Sequence, residues 1–270
     1  MRRVRAVEAH ARIRDVQSTV VIIPAFNEAQ ALPSTLRELC AVRPDLDVVV
    51  VDDGSRDTTV RVARAAGVEV LSLPYNLGIG GAMRLGFRYA VEHGYERALQ
   101  FDADGQHDPN EIATLLAPLD DGADLVIGSR FSGRGDYKVG RSRGLAMRVL
   151  RSLAMRLAGQ RFSDTSSGFR AFSGPMLERF AVDYPIEYLD SVEALVFACR
   201  AGYDVREVPT HMRERTGGTA SNRRLRLLYH YIRVLVVLGC SPRPARRPVR
   251  GAAEAAEAAD LAEAAEAAAR

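Results

Sequence analysis

Three features that would direct the sequence to other classes of protein are absent. Its only cysteines, Cys40, Cys199 and Cys240, have neither metal-ligand nor disulfide spacing, so we expect the reduced thiols of a cytosolic protein. There is no run of about 20 apolar residues, so no segment is expected to span a bilayer. The N-terminal stretch MRRVRAVEAHARIRDVQ is basic but lacks an apolar core, which excludes a secretory signal.

Lysine is nearly absent, and the charge is uneven along the chain. Lys138 is the only lysine among 37 basic residues. Residues 251–270 hold five acidic residues against one arginine and carry −4, which leaves +7 on residues 1–250. A basic body favours anionic partners such as phosphates or a lipid surface. Nucleic acid is not expected as a partner, because no basic stripe with interleaved aromatic residues occurs.

Short apolar runs alternate with helical patterns through the first half of the chain. The runs predict strands at 18–26, 45–55, 68–73, 97–103 and 123–129. The helical patterns between them lie at 28–39, 56–67, 80–94 and 110–118. Further on, the pattern predicts helices at 142–159 and 188–202 and a strand at 204–209. Alternation with short connections predicts an α/β fold with a mainly parallel sheet and helices on both faces.

Polar residues follow the predicted strands at their carboxyl ends. The clusters are Asn27-Glu28, Asp52-Asp53, Asn76, Asp102–Asp108 and Ser129-Arg130. Ligands of open parallel sheets bind outside the carboxyl ends of the strands, which meet at one edge. The five clusters therefore predict one binding site.

The acidic stretch ALQFDADGQHDP, residues 98–109, predicts a metal at this site. Asp102 and Asp104 are two apart, so on a strand their side chains point the same way. Two carboxylates and the amide oxygen of Gln106 suit Mg²⁺ or Mn²⁺, which would neutralise a departing diphosphate. The alternative is an ordinary turn, but the other polar strand ends favour the metal. Asp108, before Pro109, is expected to cap the following helix.

Two further motifs lie on the same edge. In DDGS, we expect Asp53 to accept a hydrogen bond from a nucleobase, with helix capping as the alternative. The stretch NLGIGGAMRLG, residues 76–86, resembles a dinucleotide fingerprint, but that pattern would need glycine in place of Met83 and would follow the first strand. NAD is therefore not expected. These glycines instead allow a helix N-terminus to approach a ligand or the sheet closely.

The ordered motifs PAFNE, VVVVDDGS, NLGIGGAMRLG, DADGQH, GSR and SDTSSGFR together resemble the family 2 glycosyltransferases of the GT-A fold. Within that family the chain is similar to the dolichyl- and polyprenyl-phosphate sugar transferases of the dolichol-phosphate mannose synthase kind. The resemblance implies an inverting, Mg²⁺- or Mn²⁺-dependent transfer of a hexose from GDP-mannose or UDP-glucose to a polyprenyl phosphate. The alternatives are a saccharide or other soluble acceptor, or a module that binds a nucleotide-sugar without turnover.

The resemblance also assigns residues, position by position. Donor binding falls to Pro24, Phe26, Glu28, Asp53, Asp102, Arg130 and Arg215. Metal binding falls to Asp102, Asp104 and Gln106, and the catalytic residues are Asp104 and Asp164, the latter beside the acceptor. The acceptor phosphate falls to Arg213, Arg215 and Ser221. Two positions depart from the family. Phe26 replaces a common Tyr, and Asn222 replaces the usual Lys, so which arginine binds which phosphate stays open.

The chain is expected to divide into four parts. They are a polar arm at 1–17, a GT-A catalytic domain at 18–221, an amphipathic helix at 222–240, and a basic linker with an Ala/Glu-rich tail at 241–270, expected to be disordered or a frayed helix.

The amphipathic helix predicts contact with a membrane. Its apolar face comprises Leu225, Leu228, Tyr229, Ile232 and Val236, and its basic stripe comprises Arg226, His230 and Arg233. This arrangement suits a helix on an anionic membrane surface, and the alternative is docking onto the domain's own core. Because many relatives continue into transmembrane segments, the resemblance implies a small integral membrane protein as partner. It also implies a peripheral cytoplasmic location at the inner face of the plasma membrane.

Overall fold

The described part of the chain forms one seven-stranded sheet with helices on both faces. The computed structural model describes residues 18–131, 152–185 and 190–213, with a few positions between 233 and 244. The strands are β1 Thr19–Ala25, β2 Asp47–Asp52, β3 Glu69–Ser72, β4 Arg97–Gln100, β5 Leu125–Ser129, β6 Arg170–Ser173 and β7 Val205–Pro209. The helices are α1 Leu32–Val42, α2 Thr59–Ala65, α3 Ile79–Glu92, α4 Ile112–Asp120, α5 Gly174–Asp183 and α6 Asp190–Arg200. Residues 152–158 are also helical.

The sheet is mainly parallel, as the sequence predicts, with one exception. The strand order is β3-β2-β1-β4-β6-β5-β7. β6 runs antiparallel to both of its neighbours, β4 and β5, whereas the other pairs are parallel. β6 has no signal in the sequence, because its four residues begin with a charged side chain, Arg170, and carry no apolar run. The α/β fold is confirmed, and the antiparallel strand is the addition.

The first helix begins later than its sequence pattern predicts, at Leu32 rather than at residue 28. The backbone of Asn27 takes a positive φ of 56°. The N–H of Glu28 then donates to Thr59 Oγ1 at 2.9 Å and that of Ala29 to Asp57 Oδ2 at 3.2 Å. These contacts join the end of β1 to the segment after β2, so the chain turns across the sheet edge before the helix starts.

The predicted cap at Asp108 is confirmed. Its Oδ1 accepts a hydrogen bond from Asn110 N at 3.0 Å and caps a short 3₁₀ helix, Pro109–Glu111, which leads into α4. Such a cap satisfies a backbone donor that has no partner inside the helix. The acidic loop after β4 therefore has a defined end.

Two apolar layers cover the two faces of the sheet. Alternate residues of β1 enter different layers, as the two-residue period of a strand requires. Val20 and Ile22 pack in the layer that contains Phe87 of α3. Val21 and Ile23 pack in the layer formed with α1 and α4. Burial on both faces explains the continuous apolar run of β1 in the sequence.

The described positions near 234 dock onto the domain. Val234 is fully buried, and its cluster is completed by Ala154, Val192 and Val196. Arg233 Nη1 donates to Glu193 Oε1 at 3.1 Å, whereas Val236 is 56% exposed. At this point the helix packs on the core, as one of the two alternatives predicts, and Val236 of the predicted apolar face points outward. Leu225, Leu228, Tyr229, Ile232, Arg226 and His230 lie outside the described residues.

Candidate active site

Strand register brings the predicted polar clusters to one edge of the sheet. Ala25 of β1 is level with Asp52 of β2, and Ser129 of β5 is level with Pro209 of β7. Because β6 is antiparallel, its first residue, Arg170, lies beside Gln100, the last residue of β4. The segment before β6, which carries Asp164, therefore reaches the same edge as the acidic loop after β4.

A buried histidine holds the acidic loop together. His107 Nδ1 accepts a hydrogen bond from Asp102 N at 3.0 Å, so the proton of the neutral ring is on Nε2, which lies 3.3 Å from Asp102 Oδ2. The ring stacks on Phe169 with centroids 4.4 Å apart and meets Phe101 edge-on. Burial lowers the pKa of His107 to about 3, so the imidazole is neutral at physiological pH. This role of His107 was not predicted from the sequence.

The two predicted carboxylates differ in exposure. The side chain of Asp102 is 31% exposed, whereas Asp104 is buried and its Oδ1 accepts from Gln106 N at 3.0 Å. Gln106 Nε2 donates to the Arg213 carbonyl at 3.4 Å, so this contact does not use the amide oxygen.

These three residues fit the donor set of a hard divalent cation. Two carboxylates and an amide oxygen are ligands that Mg²⁺ and Mn²⁺ accept, with water and phosphate completing the shell. No group of three or more His, Cys, Asp or Glu side chains with metal-binding geometry occurs within the described ranges. A cation here would therefore take only part of its shell from carboxylates, and a bound diphosphate would have to supply further oxygens.

Arg213 is engaged by two carboxylates. Its Nη1 lies 2.7 and 2.8 Å from the two oxygens of Glu38, and its Nη2 lies 2.8 Å from Asp108 Oδ2. Its backbone N–H donates to the Gln106 carbonyl at 2.8 Å. In this arrangement Arg213 joins α1 to the acidic loop. Its predicted contact with an acceptor phosphate would require at least one of these ion pairs to open.

A small cavity at the ends of β1 and β2 has the character of a nucleoside site. Its volume is about 340 Å³, and its lining includes the exposed rings of Phe26 and Tyr75 together with Asp52. Aromatic rings of this kind can stack on a base. Tyr75 was not singled out in the sequence, although an aromatic residue directly before the polar cluster at Asn76 was the available signal.

Asp53, which the sequence predicts to contact the base, accepts hydrogen bonds from the protein's own backbone. Its Oδ1 accepts from Leu77 N at 2.7 Å and its Oδ2 from Gly78 N at 2.9 Å. Burial raises the pKa of Asp53 against the opposing effect of these two bonds. The carboxylate therefore fixes the loop that leads into α3, and Asp52 is the neighbouring acid that faces the cavity.

Arg130 and Asp164 form a two-bonded ion pair. Arg130 Nε lies 2.6 Å from Asp164 Oδ2, and Nη2 lies 2.9 Å from Oδ1. The Asp164 side chain is 1% exposed and that of Arg130 is 18% exposed. Burial alone would raise the pKa of Asp164, but the hydrogen bonds and charge of Arg130 outweigh it, so the pKa lies below the ordinary value. Asp164 is therefore a weak base.

Of the remaining predicted residues, two lie near the rim and two fall outside the described residues. Pro24 lies within β1, opposite Val51 of β2, and Glu28 follows β1 at the rim. Arg215 and Ser221 lie outside the described residues.

Comparison with known proteins places this geometry in a class. By fold, the chain resembles the glucosyl-3-phosphoglycerate synthase of Mycobacterium tuberculosis in complex with Mn²⁺, UDP and glucosyl-3-phosphoglycerate, with a TM-score of 0.62 at 21% identity over 87% of this chain and 82% of that one. The same synthase was also crystallised with Mg²⁺ and UDP. The fold is thus the GT-A fold of nucleotide-sugar transferases.

The sequence comparisons then give the family. The profile described as "Glycosyl transferase family 2" matches residues 20–182. The polyprenol monophosphomannose synthase of Mycolicibacterium smegmatis is 33% identical over 225 residues, covering 80% of this chain and 84% of the relative. The undecaprenyl-phosphate mannosyltransferase of Micrococcus luteus is 36% identical over 208 residues, covering 74% and 85%. The chain belongs to glycosyl transferase family 2, which confirms the resemblance inferred from its motifs.

Proposed function

We propose that the chain is an inverting hexosyltransferase that moves a sugar from a nucleoside diphosphate to a polyprenyl phosphate. The observation that carries the proposal is one edge of the sheet, where the acidic loop after β4 lies together with the Arg130–Asp164 pair and a cavity lined by aromatic rings. The names of the two bacterial relatives, which specify a polyprenol and an undecaprenyl phosphate, support this acceptor.

The donor would lie across this edge. The nucleoside occupies the cavity beside Phe26 and Tyr75, and the diphosphate extends towards Asp102 and Asp104. Mannose in both relatives' names favours a mannosyl donor such as GDP-mannose, and the UDP in the M. tuberculosis neighbour keeps UDP-glucose as the second candidate. Pro24, Glu28 and Asp53 shape the nucleoside side, with Asp53 acting through the loop at Leu77 and Gly78.

Asp102, Asp104 and Gln106 would hold Mg²⁺ or Mn²⁺ in this proposal. The metal would supply positive charge that neutralises the diphosphate as it leaves. Asp104, the more buried carboxylate, contributes most to holding that charge in a fixed place, because its position is set by the Gln106 N–H.

The reaction is a single displacement at the anomeric carbon. An oxygen of the acceptor phosphate attacks from the face opposite the diphosphate, the bond from the anomeric carbon to the diphosphate oxygen breaks, and its electron pair stays on that oxygen. Arg130 stabilises the charge that develops there, which is usually the largest contribution to catalysis. A phosphate acceptor is already an anion, so no strong base is required. This agrees with the lowered pKa of Asp164, whose role is to orient Arg130.

The acceptor side is inferred from sequence and charge. Arg213 follows β7 at the rim, and Arg215 and Ser221 come after it in the sequence. The segment 222–240, of which Val234 packs on the domain and Val236 is exposed, would turn its exposed side to the anionic surface of the membrane. No helix in the described ranges has the length and apolarity needed to cross a bilayer. A peripheral position at the inner face of the plasma membrane, with a small integral membrane protein as partner, rests on the resemblance alone.

A transfer assay tests the proposal. GDP-mannose and UDP-glucose, each with Mn²⁺, are first compared by thermal shift, since a ligand of the folded state raises the melting temperature. The donor that binds is then supplied with polyprenyl phosphate in anionic liposomes, and the lipid product is measured. We expect lipid-linked hexose in the wild type and none in Asp104→Ala. Binding without lipid product, or transfer only to water or a soluble sugar, would contradict the acceptor assignment.

A further inference from the structure

We infer that Glu207 of β7 is a positioning residue for Arg130. The inference rests on the proposed function, in which Arg130 binds the departing diphosphate. Glu207 touches neither reacting group. It acts through the residues that surround Arg130 in the fold.

The Glu207 carboxylate accepts three hydrogen bonds from one short segment, residues 163–164. Its Oε2 accepts from Ser163 N at 2.8 Å, and its Oε1 accepts from Ser163 Oγ at 2.9 Å and Asp164 N at 2.7 Å. Carboxylate acceptors make stronger hydrogen bonds than neutral ones. The segment that carries Asp164 is thus fastened to β7 at the point where it passes the sheet edge.

One side of Arg130 is fixed through Asp164. The same Asp164 whose N–H bonds to Glu207 uses both carboxylate oxygens for the Arg130 guanidinium, at 2.6 and 2.9 Å. Arg130 Nη2 also lies 2.9 Å from Ser166 Oγ, in the same segment. The plane of the guanidinium therefore depends on where Glu207 holds that segment.

The backbone on both sides of Arg130 is fixed through a second path. Phe131 N donates to Ser129 Oγ at 3.1 Å, and Ser129 Oγ lies 2.6 Å from Ser163 Oγ. Since the Ser163 hydroxyl donates to Glu207, it must accept from Ser129. Every hydrogen bond in this chain then points towards the Glu207 carboxylate. The two residues that flank Arg130 both belong to a chain that ends on Glu207.

Glu207→Gln tests this arrangement with little change of size. Either orientation of the new amide places its NH₂ opposite a backbone N–H, that of Ser163 or of Asp164, so the three bonds cannot all form. The probes are UDP and GDP, each with Mn²⁺, measured by calorimetry on the full chain. We expect about tenfold weaker binding of the diphosphate that the wild type prefers, by analogy with the lower end of the loss known for outer partners of metal ligands.

A double-mutant cycle separates positioning from general damage. If Glu207 acts through Arg130, Glu207→Gln costs no more than ~2-fold in an Arg130→Ala background, because contacting residues give non-additive effects. Full additivity, or unchanged binding in Glu207→Gln alone, would overturn the inference while leaving Arg130 as a phosphate contact. Unchanged binding in Arg130→Ala would overturn both the inference and the phosphate assignment in the proposed function.

Two further variants complete the test. Glu69→Gln changes an exposed glutamate on β3 and is expected to leave binding unchanged. If Glu207→Gln does not fold, Glu207→Asp keeps the charge on a shorter side chain. If Glu207→Asp weakens diphosphate binding and this loss of affinity disappears in the Arg130→Ala background, the inference is supported. Wild-type affinity in Glu207→Asp would reject it.

Discussion

A methyl group placed at Gly168 would press directly on the carboxylate of Asp102, a proposed metal ligand. A Cβ at this position would lie 3.1 Å from Asp102 Oδ1, 3.2 Å from Asp102 Oδ2 and 3.1 Å from Gln100 Nε2. Gly168 does not have the positive φ that favours glycine, so alanine is compatible with the backbone. Gly168→Ala therefore moves the Asp102 carboxylate without removing its charge.

The size of the movement sets the expected effect. Contacts this short require the neighbour to give by a few tenths of an ångström. Metal–ligand distances tolerate deviations of about 0.2 Å, and Mg²⁺ demands more regular geometry than larger cations. We expect the Mn²⁺ concentration for half-maximal transfer to rise about tenfold, a typical loss for a disturbed ligand. The increase with Mg²⁺ should be larger.

The assay is a metal titration of transferase activity, with melting temperature as the check on folding. Glu69→Gln, a change at an exposed position of β3 outside the proposed site, is the control. Metal dependence in Gly168→Ala equal to that of the wild type, with an intact fold, would refute the reasoning that Asp102 binds the cation.

Three further outcomes are expected. Asp104→Ala should abolish transfer while Asp164→Asn retains some, because Asp164 orients Arg130 and supplies no essential proton; equal, near-wild-type rates in both variants would reject the scheme. The lowered pKa of Asp164 means that its charge stabilises the fold above pH ~4 and that this stability is lost as the pH falls through the folded-state pKa. Asp164→Asn should therefore flatten the acid side of a melting-temperature profile, and a profile parallel to the wild type would count against the ion pair. Phe87→Ala removes a fully buried ring that packs against Phe172 and Tyr184, and it should lower the free energy of unfolding in urea by about 3–5 kcal/mol; a loss below ~1 kcal/mol would contradict the packing.

The sequence determined the class of fold and the general place of the site. A strand that is buried on both faces needs apolar residues at every position. The apolar runs at residues 20–23 and 48–51 therefore predict two such strands. Because the carboxyl ends of parallel strands meet at one edge, the polar residues that follow them are expected to lie together. The motifs added the family, because their order along the chain is specific even where each alone is weak.

The assignment of individual partners depended on tertiary contacts. No sequence pattern indicates that Asp53 bonds to Leu77 and Gly78, 24 and 25 residues away, or that Arg213 bridges Glu38 and Asp108. These contacts join segments that only the packing of the helices on the sheet brings within hydrogen-bonding distance.

The antiparallel strand β6 determines how the site is assembled, and it could not be predicted from the sequence. Its four residues lie between β4 and β5 and run in the opposite direction. The segment before β6 therefore lies at the edge where β4 is followed by the acidic loop and β5 by Arg130. Sequence periodicity reports which side chains are buried, and a strand this short carries too little of it to reveal direction or neighbours. The sequence alone thus determined which strands end at one edge and which polar residues follow them, and the pairing of β6 between β4 and β5 decided that Asp164 lies against Arg130.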